Sequence, residues 1–150
     1  MSEQALDTRK IVQIGLVVPD VEAAAQAWAQ VFGMPVPPIR TTDPVEVAGT
    51  EYRGQPTAAR AKLAFFSFEN IQIELIQPLG GPSTWQEQLD QHGASIHHLG
   101  IQIQGMRDRQ ADLDAQGITL VQRGEYKGGR YAYLDALGSL GMVLELLEND

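Results

Sequence analysis

Four side chains far apart in the chain, Gln13, Glu74, His98 and Glu145, have the chemistry of a metal-ligand set. Glu74 lies within Ile-Glu-Leu-Ile and Glu145 within Leu-Glu-Leu-Leu. A lone carboxylate buried in such an apolar run costs several kcal/mol or takes up a proton. A divalent cation between the two removes that cost. Together the four residues offer three oxygens and one nitrogen, a hard set suited to manganese, cobalt, nickel, iron(II) or magnesium, with zinc also compatible. Taken singly, each has a plainer reading. His98 could be a satisfied core histidine, and the glutamates and Gln13 could be polar positions on the wet face of a sheet.

An internal repeat ties the four together. The segment from Gln13, QIGLVVPDVEAAAQAW, resembles the segment from His98, HLGIQIQGMRDRQADL, at an offset of 98 − 13 = 85. ENIQIELIQ around Glu74 matches LGMVLELLE around Glu145 at an offset of 145 − 74 = 71, so the second half is 85 − 71 = 14 residues shorter between landmarks. Strand alternation places Gln13, Gly15 and Val17 on one face, and His98, Gly100 and Gln102 on the equivalent face of the other half. Glycine beside polar residues in Val/Ile/Leu strands suggests a surface left open, where a ligand or neighbouring backbone approaches closely. The same alternation turns His97 to the opposite face, as a packing or surface residue.

Each half reads as a strand, a helix and further strands. In the first, Ile11 to Val18 is a β-branched run, and Asp20 is an N-cap followed by Val21, Ala25, Trp28 and Phe32 at helical spacing, with Gly33 as the stop. MPVPPIRTTDP is too Pro-rich for regular structure. Strands follow at 61–68 and 71–77, turned by Glu69-Asn70. Ser83-x-x-Gln86, Thr84-x-x-Glu87 and Gly93 bracket a linker helix at about 83–93. The second half has a strand at 96–103, a helix at about 106–116 and strands near 118–122, 130–134 and 142–147. The expected fold class is α+β. Two βαβββ modules, about 11–78 and 96–148, make one curved, open mixed sheet with helices on its outer face, in a single domain of residues 1–150.

Composition bounds the function. Eleven basic against 19 acidic residues give a net charge of −8 over 150 residues, which argues against nucleic acid or an anionic membrane surface as partner. With no cysteine there is no disulfide framework, thiolate metal site or cysteine nucleophile. MSEQALDTRK lacks a signal-peptide core and there is no long apolar run, so a cytoplasmic protein is expected.

These residues resemble the vicinal oxygen chelate superfamily, which includes glyoxalase I, methylmalonyl-CoA epimerase and bleomycin resistance proteins. The resemblance covers Ile11 to Glu148. It is most specific over IQIELIQPLGGPSTWQEQLDQHGASIHHLGIQI, Ile71 to Ile103, which is similar to the epimerase branch. It implies that the first and last strands of each module supply metal ligands, placing them on Gln13, Glu74, His98 and Glu145. The first ligand is usually histidine, so Gln13 is a departure; its amide oxygen is a weaker, neutral donor. The epimerases also use a carboxylate from the middle of the first module as a base, and Glu51 is the one available in TEYRGQPTAARAKLAFF.

The implied chemistry is proton abstraction next to a carbonyl, with a metal-stabilised enolate. Glu145 is the ligand expected to move the proton as well, with Glu51 a separate base if it reaches the cavity. Lys127 and Arg130, in YKGGRYAYLD, are expected to hold a substrate carboxylate or phosphate. The substrate would be an acyl-CoA for an epimerase, or a dicarbonyl or keto compound for a glyoxalase I-type lyase. A non-catalytic small-molecule binder of the antibiotic-resistance type is a further alternative. A homodimer is suggested by the relatives.

Overall fold

The computed structural model describes residues 4–150. In chain order the elements are β1 (Ile11–Val17), α1 (Val21–Phe32), β2 (Arg40–Thr41), α2 (Val45–Ala48), β3 (Glu51–Tyr52), β4 (Gln55–Pro56), β5 (Arg60–Ser67) and β6 (Gln72–Leu79). Then come α3 (Thr84–His92), β7 (Ser95–Gln102), α4 (Met106–Asp114), β8 (Thr119–Tyr126), β9 (Gly129–Asp135), α5 (Leu137–Leu140) and β10 (Val143–Asn149).

The helix ends follow from local chemistry. The Asp20 carboxylate accepts the N–H groups of Glu22 and Ala23 at 3.1 Å, while Gly33 ends α1 at φ 63°, a conformation that costs glycine little. The Ser83 hydroxyl accepts the Gln86 N–H at 3.0 Å at the start of α3. Helix α4 has no local side-chain cap. There the Glu148 carboxylate, arriving from β10, accepts the Met106 N–H at 3.0 Å.

All ten strands form one mixed sheet in the order β2-β5-β6-β1-β7-β10-β9-β8-β3-β4. Strands β1 and β7 run antiparallel at its centre; β6 lies parallel to β1, and β10 parallel to β7. The two repeats therefore sit side by side with equivalent strands in equivalent places. On the outer face, Val21, Ala25 and Ala29 of α1 pack on Leu75, Ala64 and Phe66, and Met106 and Leu113 of α4 pack with Leu134, Leu144 and Leu146. Phe32, the last of the four residues at helical spacing, does not join Val21 and Ala25 in the core. It is 53% exposed at the end of α1 and stacks on Trp28.

The first module is not contiguous. After β2 pairs at one edge, the chain passes through α2 to the β3–β4 hairpin, which pairs with β8 at the other edge. This excursion accounts for the extra length of the first half. Fully extended, segment 42–50 spans at most about 30 Å, so the sheet must curl until its two edges face each other. Arg53 at the hairpin tip bonds Glu87 of α3 at 3.0 Å, and Tyr52 also bonds Glu87, tying the excursion down. Among the described residues no helix is long and apolar enough to cross a membrane.

Candidate metal centre

Sheet register assembles the site. Gly15 of β1 lies between Glu74 on β6 and His98 on β7, and Gly100 of β7 lies between Gln13 on β1 and Glu145 on β10. The glycines make room for these side chains. A Cβ on Gly15 would fall 2.1 Å from His98 Cε1, inside the ring's own volume. One on Gly100 would fall 3.0 Å from both Gln13 Cβ and Glu145 Oε1.

The four polar groups converge on the floor of the concave face. His98 Nε2 lies 2.9 Å from Gln13 Oε1, 3.2 Å from Glu145 Oε1 and 3.5 Å from Glu74 Oε1. All four side chains are buried, and His98 is fully so. Gln13 Nε2 donates to Gln72 Oε1 at 2.7 Å, which turns the Gln13 oxygen towards the centre. Glu74 Oε1 and Glu145 Oε1 are buried without a hydrogen bond of acceptable geometry. Nε2 can carry only one hydrogen, so three oxygens crowd a single donor.

Burial, reinforced by Glu145 and opposed by His98, pushes the Glu74 carboxyl up to about 8. Burial draws His98 down, but the charges of Glu145 and Glu74 outweigh it and the net direction is upward. A divalent cation fits this arrangement. It would give both orphaned oxygens a partner and balance two carboxylates with its own charge. Glu74, His98 and Glu145 each offer one ligand atom, and these atoms lie within 4.8 Å of one another.

His97 corrects the alternation argument. The pairing of β7 with β1 steps from His98↔Gly15 to Ile96↔Leu16, leaving His97 as the extra residue of a β-bulge. His97 is consequently buried beside His98, with their Nδ1 atoms 2.9 Å apart. Burial, with His98 adding to it, holds His97 well below the ordinary histidine range, so its ring is neutral. His97 Nε2 meets Thr84 Oγ1 at 3.1 Å, and Trp85 Nε1 donates to the Tyr133 hydroxyl at 3.0 Å. An aromatic layer of Trp85, Tyr131 and Tyr133 therefore backs the two histidines.

A cavity of about 440 Å³ opens above the floor, with Gln13, Glu74 and Glu145 in its lining. Lys127 lines it as well. Glu51 and Arg130 do not. The Glu51 side chain turns to Arg123 at 3.3 Å, and Arg130 bonds Glu148 at 2.7 Å and also pairs with Asp150. Both sit in strands whose register turns them away from the concave face. The lining also includes residues that the sequence does not single out, among them Arg40, Asp43 and Tyr131. Arg40 and Asp43 lie within the Pro-rich segment 34–44, whose only signal was that it broke regular structure. Tyr131 shares the alternation of Tyr133 in YAYLD, which did mark one face of a strand.

A family model described as the glyoxalase/bleomycin resistance protein/dioxygenase superfamily matches residues 12–133. An uncharacterized protein of Bacillus subtilis (strain 168), YqjC, is 26% identical over 107 residues, covering 68% of this chain and 76% of that protein. The crystal structure of a hypothetical protein of Bacillus halodurans C-125, BH1468, superposes with a TM-score of 0.67 at 19% identity, over 94% of each chain. A Streptomyces coelicolor methylmalonyl-CoA epimerase variant in complex with 2-nitronate-propionyl-CoA superposes with a TM-score of 0.64 at 16% identity, covering 93% of this chain and 94% of that one. At these identities the structural matches establish the fold.

Proposed function

Because the chain belongs to the glyoxalase/bleomycin resistance/dioxygenase superfamily, we propose that it is a metal-dependent isomerase or epimerase that removes a proton next to a carbonyl. The observation that carries this reading is the convergence of two orphaned carboxylate oxygens with His98 Nε2 and Gln13 Oε1 on a cavity floor. Gln13, Glu74, His98 and Glu145 would hold the cation. When bound, it supplies Lewis-acid polarisation of a substrate carbonyl.

The protein's own residues supply the rest. Glu145, at the floor, is the group proposed to accept the carbon-bound proton and return it. Asp43, which lines the cavity from the segment between β2 and α2, offers the separate carboxylate that Glu51 cannot, since Glu51 faces Arg123. Trp85, Tyr131 and Tyr133 make that end of the cavity aromatic, and such a low-polarity wall strengthens electrostatic interactions beside it. Lys127 and Arg40 line the same cavity and suit a substrate with an anionic end, such as an acyl-CoA. Arg130 is committed to Glu148 and Asp150.

The test is to strip the protein with a chelator, reload it with manganese, cobalt, nickel, iron(II), magnesium or zinc, and follow deuterium uptake from solvent into methylmalonyl-CoA. Exchange that depends on metal and is lost in Glu145→Gln supports the epimerase. Absence of exchange at every loading removes that assignment. Turnover of a glutathione hemithioacetal would instead identify a glyoxalase I-type lyase. Tight binding of a small molecule with neither reaction would make the protein a binding module.

A further inference from the structure

We propose that His97 is a positioning residue: it keeps the proton of His98 on Nδ1, so that the Nε2 lone pair faces the cavity floor. The inference rests on the direction of a buried hydrogen-bond chain, and it deepens the metal-site reading above.

The direction follows from one group that can only donate. The Thr84 backbone N–H donates to Gln122 Oε1 at 2.8 Å, so the oxygen end of that amide faces Thr84. The Gln122 Nε2 group then points away and donates to the Tyr131 hydroxyl at 3.1 Å. Thr84 Oγ1 lies 3.3 Å from the same Gln122 Oε1, and of these two oxygens only the hydroxyl carries a hydrogen, so Thr84 donates. With its hydrogen used, Thr84 Oγ1 accepts from His97 Nε2–H at 3.1 Å. His97 is fully buried with no carboxylate against it, its nitrogens meeting Thr84 and His98, so it takes no second proton and keeps a lone pair on Nδ1 alone. That lone pair accepts from His98 Nδ1–H at 2.9 Å. Nε2 of His98 is then the nitrogen left to bind a cation, or to exchange a proton for one.

The β-bulge makes this possible, because regular alternation would have sent His97 to the other face. The repeat makes the role specific to the second module. The residue equivalent to His97 at the offset of 98 − 13 = 85 is Val12, which cannot accept a hydrogen bond, and there Gln72 orients Gln13 instead.

Long-range ¹H–¹⁵N spectra of histidine-labelled protein would read the ring protons directly. The expected result is His98 protonated on Nδ1 in every state, with the Nε2 hydrogen that faces the three oxygens lost on loading with zinc. A His98 without a proton on Nδ1 would overturn the proposal. In parallel, His97→Leu is expected to weaken metal affinity by roughly 10- to 100-fold, measured by competition with a chelating dye. His97→Asn, whose amide oxygen can replace Nδ1 as acceptor, should recover most of it. Wild-type affinity in a folded His97→Leu protein would also overturn the proposal, and the wild-type spectrum decides alone should that variant not fold. A protonated Nδ1 in a protein that binds no divalent metal would support the relay while removing the metalloenzyme reading.

Discussion

Gly15 and Gly100 set how closely four polar side chains can approach, and each does so by lacking a Cβ. At Gly15 the obstacle is the body of the His98 imidazole, a ring already fully buried and bonded at both nitrogens. Gly15→Ala should therefore displace His98, lower metal affinity by at least about tenfold and reduce thermal stability. Gly100→Ala should act more mildly, since its Cβ meets Gln13 and Glu145 at 3.0 Å, where a small movement relieves the contact. Dye competition and thermal melts of the two variants check this ordering, and equal affinities would refute it. Gln13 is the other residue-scale feature. It presents an amide oxygen where an imidazole would favour zinc or nickel, so Gln13→His should shift the loaded metal towards those ions in mixed-metal competition.

Among the elements, α1 and the β3–β4 excursion make opposite demands on the site. Helix α1 packs on the outer face, and its cap is remote from the ligands. Asp20→Ala should cost about 1 kcal/mol, seen as a lower melting temperature with metal affinity unchanged. The excursion instead supplies part of the cavity lining, Asp43, Ala48 and Thr50. Glu87 holds it through Tyr52 and Arg53. Glu87→Ala should weaken substrate binding, read by calorimetry, and leave metal affinity intact; a loss of metal affinity would mean that the hairpin supports the floor as well. The long strands and capped helices were legible because each carries its own pattern of alternation or capping. Strands of two residues, such as β2, β3 and β4, carry no period at all. Their pairing with distant edges is a property of the curled sheet.

For the molecule as a whole, the site couples stability to pH. The metal-free folded state holds a proton on Glu74 up to about 8, whereas the unfolded chain releases it near 4.5. Between those values the folded state binds more protons, so its stability is highest at the acid end and falls as pH rises. His98, also shifted upward, acts in the same direction above its ordinary value of 6.5. The melting temperature of metal-free protein should fall from pH 5 to pH 8, and Glu74→Gln should flatten that slope. Metal binding must displace the same protons, so affinity should rise over this window. A metal-free protein whose stability is flat or rising there would contradict the buried, protonated Glu74.

The residue order by itself determined the two-module plan, the sheet strands long enough to alternate, the helix caps and the four residues at matching places in the repeat. Each of these depends on patterns within a few residues, or on one pattern recurring. Tertiary structure decided the rest. Whether Glu51 and Arg130 reach the cavity depends on which strands carry their partners, Arg123, Glu148 and Asp150. That His97 lies beside His98 depends on a bulge, which exists only when two strands are counted against each other. Convergence on one point is likewise a matter of register between β6, β1, β7 and β10, set by packing across both halves and written in none of the four strands alone.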